Sequence, residues 1–432
     1  MNKPPYCVPS MEEIEAMPWN GYNIVSTFSG AGGSCLGFRM AGFRTLWASE
    51  FVPAAQEIYR LNYPSVYLDT RDIRQVQPEE ILEQIGLERG QVDVLEGSPP
   101  CASFSTAGKR EAGWGQVCKY SDTQQRVDDL FFEFARILKG LQPKVFVAEN
   151  VSGLVKGKAK GYFKLILQEL KDCGYNVRAK VLDAQWLGVP QQRQRVIFIG
   201  TRQDLGLEPV YPKPLGYRYS VREAIPWIVR TSIRDSKTLM RTWYDADRIQ
   251  SPTVSAQQPY NPETSTQGMY IVEAEIDPRR FVEDTGGEWG MGDISDRPSP
   301  TVRQGGVGHL YVIEPETDIS RFAIGREWDK LEPGEKSEKY FNLVRAHPEK
   351  PSPAVTQKAG TAWSPAAAAG VTHPTEKRKF SIAELKRISA FPDDFKLTGS
   401  YSQQWERLGR AVPPVMMYHI AKTIRDEMLE RI

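Results

Sequence analysis

The chain has 432 residues, 40% hydrophobic and 25% charged, which is enough for a sizeable core and more than one domain. Lys and Arg number 55 against 54 Asp and Glu, a net charge of +1, so a uniformly basic nucleic-acid binder is excluded while a locally basic face is not. No apolar run reaches a membrane span, the N-terminus lacks a signal-peptide pattern, and the five cysteines are scattered without a C-x-x-C pair. These features argue against a membrane protein, an exported disulfide scaffold or a metal site, and for a cytoplasmic protein.

Taken in chain order, the first half alternates strand and helix patterns. NIVSTFS (23–29) reads as a buried strand followed by a Gly-rich turn, and SCLGFRMAGF (34–43) as a helix with an apolar face. RTLWASE (44–50) is the next strand and PAAQEIYRLNY (53–63) the next helix. VDVLEGS (92–98), KVFVAEN (144–150) and RVIFIGTR (195–202) are further apolar strands. DLFFEFARILKGL (129–141) and YFKLILQELKDCG (162–174) are the helices between them. The rhythm predicts an α/β fold with a doubly wound, mostly parallel, Rossmann-like sheet, in which ligands bind beyond the carboxyl ends of the strands. Ser29 to Gly33, Glu50, Ser98 to Cys101, and Glu149-Asn150 fall at those ends.

From about Thr201 to Thr372 the pattern becomes irregular, rich in Pro, Gly, Ser and Thr, with short β-like runs such as MYIVEAEI and HLYVIE. This predicts an inserted strand-rich domain. QSPTVSAQ, RPSPTVRQ and KPSPAVTQ echo one another within or beside it. Either the echo is a recurring Pro-initiated strand start, or three similar units present Thr253, Thr301 and Ser352 or Thr356 on one face. Helical patterns return in SIAELKRISAF, opened by a Ser cap, and in the amphipathic C-terminal tail.

Three constellations carry chemistry. The turn FSGAGG lets backbone approach a ligand closely, but its spacing departs from G-x-G-x-x-G, so a dinucleotide pyrophosphate is a poor fit. Glu50, ending the second strand, suits ribose hydroxyls, and Asp72 with Ile73 suits an adenine amino group and ring. Together they indicate an adenosine-containing cofactor gripped without a polyphosphate. GSPPCASFSTAGKR (97–110) places Cys101 after two prolines among polar residues, where a nucleophilic thiolate is more natural than a core cysteine. Glu149-Asn150 ends a buried strand where a carboxylate needs partners, and Arg193 and Arg195 lead into the strand that could supply one.

The ordered set FSGAGGSCLGFRMAGF, GSPPCASFS, DLFFEFARIL, FVAENVSGL, PQQRQRVIFIG, FSIAELKRISAFPDDF and LGRAVPPVMMYHIAKTI resembles the motifs of the DNA cytosine-5 methyltransferases. The resemblance runs over most of the chain, and the PPC and ENV motifs carry most of its weight. It implies an enzyme using S-adenosylmethionine to methylate C5 of a cytosine flipped out of double-stranded DNA, with Cys101 attacking C6 and Glu149 holding the N3 edge. Arg193 and Arg195 would orient that site. Phe28, Gly30, Ala31, Gly32, Gly33, Glu50, Phe51, Asp72, Ile73, Pro99, Leu130, Arg410, Ala411 and Val412 would line the cofactor pocket. Ser103, Lys109 and Arg110 would touch DNA from a mobile loop, and Thr301, Arg303 and Gln304 from a recognition domain. The implied division is a catalytic, cofactor-binding domain at 1–204, a target-recognition domain at 205–372 and a returning C-terminal segment at 373–432. A monomer without metal, associated with the nucleoid and paired with a cognate restriction endonuclease, is the expected setting.

Two positions depart from the family pattern: Ala102 stands where many members have Gln, and Arg410 where most have Asn. Arg410 could bind the cofactor carboxylate or a nearby acid. Alternatively it could accommodate carboxy-S-adenosylmethionine, giving carboxymethylcytosine. The competing readings are a tRNA cytosine-5 methyltransferase, a non-catalytic DNA-binding relative, and a nicotinamide oxidoreductase. The last shares the sheet but explains neither PPC nor ENV.

Overall fold

The computed structural model describes residues 3–100, 129–155, 159–226, 317–356 and 369–432 in full. It adds the backbone of four short strands, Cys118–Tyr120, Thr123–Gln125, Phe281–Asp284 and His309–Val312. The chain divides into two compact units. The first comprises Met1–Tyr219, Pro351–Gln357 and Lys386–Ile432, and the second Ser220–Lys350 and Lys358–Leu385.

The first unit is built on seven strands: β1 Asn23–Thr27, β2 Arg44–Ser49, β3 Tyr67–Asp69, β4 Val94–Gly97, β5 Val145–Val151, β6 Tyr175–Asp183 and β7 Gln194–Arg202. Their order in the sheet is β3-β2-β1-β4-β5-β7-β6. The pairs among β1 to β5 are parallel, whereas β7 runs antiparallel to both β5 and β6.

Each central strand feeds two cores because successive side chains point to opposite faces. Val25, Leu95, Phe146, Val196 and Phe198 enter one cluster, and Ile24, Val94, Val145, Ile197 and Ile199 the other. This explains the unbroken apolar runs: a sheet covered on both faces has no solvent side to make polar. On the first face, α3 Pro78–Ile85, α4 Leu130–Leu141 and α5 Lys160–Asp172 contribute Ile81, Phe134, Leu138 and Ile166. On the second, α1 Gly33–Met40 and the C-terminal α7 Pro414–Glu427 contribute Phe38, Met417, Ile420 and Ile424, and α2 Pro53–Asn62 packs Tyr59 with Cys35 and Ala48 in a smaller cluster. Each fully buried aliphatic or aromatic side chain of this kind contributes about 1.5–3 kcal/mol.

Two glycines permit close approaches. A Cβ on Gly200 would lie 2.0 Å from the ring of Phe146, its partner across β7 and β5. A Cβ on Gly37 would lie 2.5 Å from the Pro414 carbonyl oxygen, so α1 and α7 meet backbone to backbone there.

Ser352–Pro353 pairs in parallel with Gln191–Gln192 inside the first unit. Ser352 is fully buried, and its hydroxyl is used on the Pro353 carbonyl. The third of the echoing segments is therefore an internal strand of the sheet-bearing unit and presents no Ser352 hydroxyl to a ligand. The other two echoes lie outside the described residues.

The second unit has a small core of Ile319, Ile324, Trp328, Leu331 and Leu343. Phe281–Asp284 pairs antiparallel with His309–Val312, and Val344–Arg345 pairs in parallel with Val371–Thr372. Ser381 and Glu384 form the reciprocal cap expected at the start of SIAEL: each side chain accepts from the other's backbone N–H.

Candidate active site

A cleft of about 900 Å³, open mouth included, lies beyond the carboxyl ends of β1, β2, β3 and β4. After β1 the chain turns at Phe28, whose φ of +54° is a conformation non-glycine residues rarely adopt. Gly30 follows at φ +58°, and a Cβ there would meet no protein atom within 4 Å. The loop is fixed by Glu50 at the end of β2, which accepts from the Gly30 and Val52 backbone N–H groups at 2.7 Å each. Glu50 is 9% exposed, and burial pushes its carboxyl pKa up against the opposing pull of those N–H groups and the Arg407 charge. Each of its oxygens retains a lone pair for a hydroxyl donor. Asp72 is oriented by the Arg74 N–H and guanidinium, which also reaches Asp129 just before α4.

Of the residues expected at the cofactor pocket, Phe28, Gly30, Ala31, Gly33, Glu50, Phe51, Asp72, Ile73, Leu130, Arg410, Ala411 and Val412 line this cleft. Gly32 and Pro99 do not. The Tyr63 ring lies against Gly32, 2.2 Å from where a Cβ would stand. Pro99 is buried, and Ser98 and Pro100 on either side of it form the wall. Ser29, placed at the strand ends by the sequence, also lines the cleft, as do Ser34, Arg71 and Arg407, which were unanticipated from sequence. Arg407 could have been found, since it lies three residues before Arg410 on α6 Tyr401–Arg410 and so shares its face.

The cations at the cleft already have partners. Arg71 binds Asp69 and Glu80, and Arg410 Nε donates to Glu406 at 2.7 Å. What remains is an apolar slot (Phe28, Ile73, Leu130, Val412) with carboxylates at two edges. That fits a purine nucleoside bearing a compact polar tail, the shape of S-adenosylmethionine.

At the end of β5, Glu149 is 8% exposed, and Arg195 Nε on β7 lies 2.6 Å from its Oε1. The N–H is not aimed at that oxygen, so the contact is an ion pair without a formed hydrogen bond. Arg193, fully enclosed, does not reach Glu149. Its guanidinium donates to the main-chain carbonyls of Val355, Arg410 and Ala411, leaving Nε without a partner. It therefore fixes the backbone of the loop between α6 and α7, a structural task not expected of it. Asn150, beside Glu149, donates to the Pro99 carbonyl at 3.1 Å.

Cys101, Ser103, Lys109, Arg110, Thr301, Arg303 and Gln304 lie outside the described residues. Cys35, under the Gly-rich loop, is unsuited to nucleophilic work: burial pushes its thiol pKa up to about 12. Among the described residues no helix is long and apolar enough to cross a membrane.

This strand order, with its reversed β7 and a cleft at the strand ends, is that of the class I methyltransferase fold. The chain belongs to the C-5 cytosine-specific DNA methylase family, whose pattern matches residues 22–426. The Type II methyltransferase M.PspPI of Psychrobacter sp. (strain TA137) is 30% identical, covering 96% of this chain and 81% of that protein. M.NgoPII of Neisseria gonorrhoeae is 28% identical, over 98% of this chain and 100% of the other. In fold, the chain is similar to a DNA modification methyltransferase described from an E. coli prophage, with TM-score 0.61, 18% identity, and coverage of 95% and 100%. It is also similar to Spodoptera frugiperda DNMT2, with TM-score 0.52, 17% identity, and coverage of 95% and 99%. The protein is thus an enzyme that methylates C5 of cytosine in DNA, using S-adenosylmethionine.

Proposed function

We propose that this enzyme modifies one cytosine of a specific double-stranded sequence, flipped out of the stack, with Cys101 as nucleophile and Glu149 as the acid that activates the ring. The observation that carries this reading is the buried Glu149–Arg195 pair at the strand end next to the segment leading into Cys101. A buried carboxyl so held is positioned for a specific polar partner such as the N3 and amino edge of cytosine.

In this reading the Cys101 thiolate adds to C6 while Glu149 keeps N3 protonated and accepts from the exocyclic amino group, concentrating electron density at C5. S-adenosylmethionine, when bound, supplies an electrophilic methyl group. Glu50 would accept from the ribose hydroxyls and Asp72 from the adenine amino group, with Phe28, Ile73 and Leu130 packing the ring. Afterwards a base takes the C5 proton, the C5–C6 double bond re-forms, and Cys101 leaves as thiolate.

The second compact unit would read the target, with Thr301, Arg303 and Gln304 at base edges, while Ser103, Lys109 and Arg110 would close on the DNA. In this reading the enzyme acts as a monomer, and its likeness to Type II methyltransferases supports a role in protecting its host's sites from a cognate endonuclease. The ordinary sulfonium cofactor is favoured over its carboxylated form because the Arg410 cation already has Glu406 as a countercharge.

Sequencing DNA from cells expressing the chain, with base-conversion detection, tests the reading. Protected cytosines should appear within one sequence and disappear with Cys101→Ala. Equal patterns from both proteins would overturn the mechanism, and preferential methylation of tRNA in direct competition would overturn the duplex target.

A further inference from the structure

Buried and half-buried carboxylates near the cleft mostly have a cation. Glu149 has Arg195, Asp69 has Arg71, Asp72 has Arg74, and Glu50 feels the Arg407 charge. Glu96, the penultimate residue of β4, is the exception. It is 1% exposed, and among the described residues no Lys or Arg forms an ion pair with it. Its partners are the Ser26 hydroxyl, the Ser34 hydroxyl at 2.7 Å and the Cys35 thiol at 3.6 Å. Ser26 and Ser29 in turn share a hydrogen bond at 2.6 Å.

Two of these serines, Ser29 and Ser34, line the cleft. Glu96 therefore stands directly behind the cleft wall, one hydroxyl removed from it. Burial pushes the Glu96 carboxyl pKa up, the Ser26, Ser34 and Cys35 donors oppose that rise, and the charge of Glu149, of like sign, adds to it. A buried carboxylate without a countercharge is costly unless something supplies one. The cofactor's sulfonium is a cation, and the thioether left after methyl transfer is neutral.

We propose that Glu96 supplies the negative charge that makes this cleft prefer the cationic methyl donor over its neutral product. The inference rests on the reading of the cleft as the S-adenosylmethionine site. Glu96 touches neither ligand directly. It acts through the Ser34 and Ser26–Ser29 hydroxyls as a positioning and charge-setting residue, helping the spent product to leave.

The test is calorimetric binding of S-adenosylmethionine and S-adenosylhomocysteine to the full chain at mildly alkaline pH, for the wild type, Glu96→Gln and Glu96→Asp. Glu96→Gln should weaken the methyl donor about tenfold relative to the product. Equal weakening of both ligands, or of neither, overturns the proposal. Glu96→Asp keeps the charge and should keep the wild-type ratio; a ratio lost in that variant also overturns it, even if the Gln protein fails to fold. A wild-type chain that binds neither ligand would refute the assignment of the cleft itself, a distinct result.

Discussion

The Asn150 amide donates to the carbonyl oxygen of Pro99, joining the end of β5 to the segment that enters Cys101. Its own carbonyl oxygen accepts from the Val151 N–H at 2.8 Å, so the side chain is held at both ends. Asn150→Ala leaves a buried carbonyl without its donor, at a cost of about 1–3 kcal/mol. Because that carbonyl lies two residues before Cys101, the proposed nucleophile, turnover should fall ~10–100-fold while cofactor affinity holds within ~2-fold. Steady-state kinetics with calorimetric cofactor binding check the split; equal losses in both would indicate general unfolding.

Arg195→Ala strands the Glu149 carboxylate in a buried site. Breaking such a pair from one side costs about 3–5 kcal/mol, more than the pair itself is worth. Arg195→Ala should therefore lower the urea midpoint more than the double variant Arg195→Ala, Glu149→Gln, which removes both charges. Both should lose activity by at least ~100-fold if Glu149 activates the base. A double-mutant cycle on stability measures the coupling.

Gly37 and Gly161 are both helical, yet alanine should have opposite effects at the two. At Gly37 the new Cβ would stand 2.5 Å from the Pro414 carbonyl and 2.6 Å from Met417 Cβ, and backbone cannot move aside cheaply. A loss of about 1–3 kcal/mol is expected. At Gly161, on α5, nothing lies within 4 Å, so alanine should add about 0.5–1 kcal/mol through helix propensity. Urea midpoints of the two variants check the contrast.

The second unit should weaken as pH falls. Burial lowers the His373 pKa from 6.5 to about 4, and the Arg378 charge adds to the effect. Between those values the unfolded chain binds the proton and the folded one does not. The contribution is therefore complete above pH 6.5 and is lost progressively toward 4. Glu384 acts next. Burial alone would raise its pKa, but the Arg378 guanidinium outweighs that and holds it at about 2, so its share is lost between 4.5 and 2. Hydrogen exchange of the segment around Phe380, corrected for intrinsic rates, should show protection falling in both windows. His373→Asn should flatten the upper one.

Much of this architecture was legible from the chain. The strands that bury both faces, such as VFVAEN and VIFIG, announce themselves because nothing polar interrupts them. β6 escaped notice for the converse reason: at the sheet edge Arg178 and Lys180 alternate with partly buried positions, so no apolar run forms. At the site, loop glycines and strand-end acids could be read one by one. What spacing could not reveal is which way a backbone turns, hence Pro100 rather than Pro99 at the cleft. Nor could it separate two arginines on one short stretch: β7 lets Arg195 meet Glu149, while Arg193, just ahead of that strand, goes to the α6–α7 loop. Glu96 was invisible as well, since an acid inside VDVLEGS reads as a strand residue until its partners in β1 and α1 are known.

The chain crosses between its two compact units four times, because Pro351–Gln357 returns to the first unit before the chain leaves it again. That short stitch pairs with Gln191–Gln192, and its Val355 carbonyl accepts from Arg193. With target reading assigned to the second unit as proposed, exchange of recognition specificity between relatives is thereby constrained. A recombination that transplants one contiguous block from Ser220 to Leu385 would carry the stitch with it, importing a foreign strand into the sheet-bearing unit. A viable chimera needs two separate grafts on either side of a preserved Pro351–Gln357, so new specificities on this scaffold should arise more readily by substitution within the two blocks than by wholesale swapping.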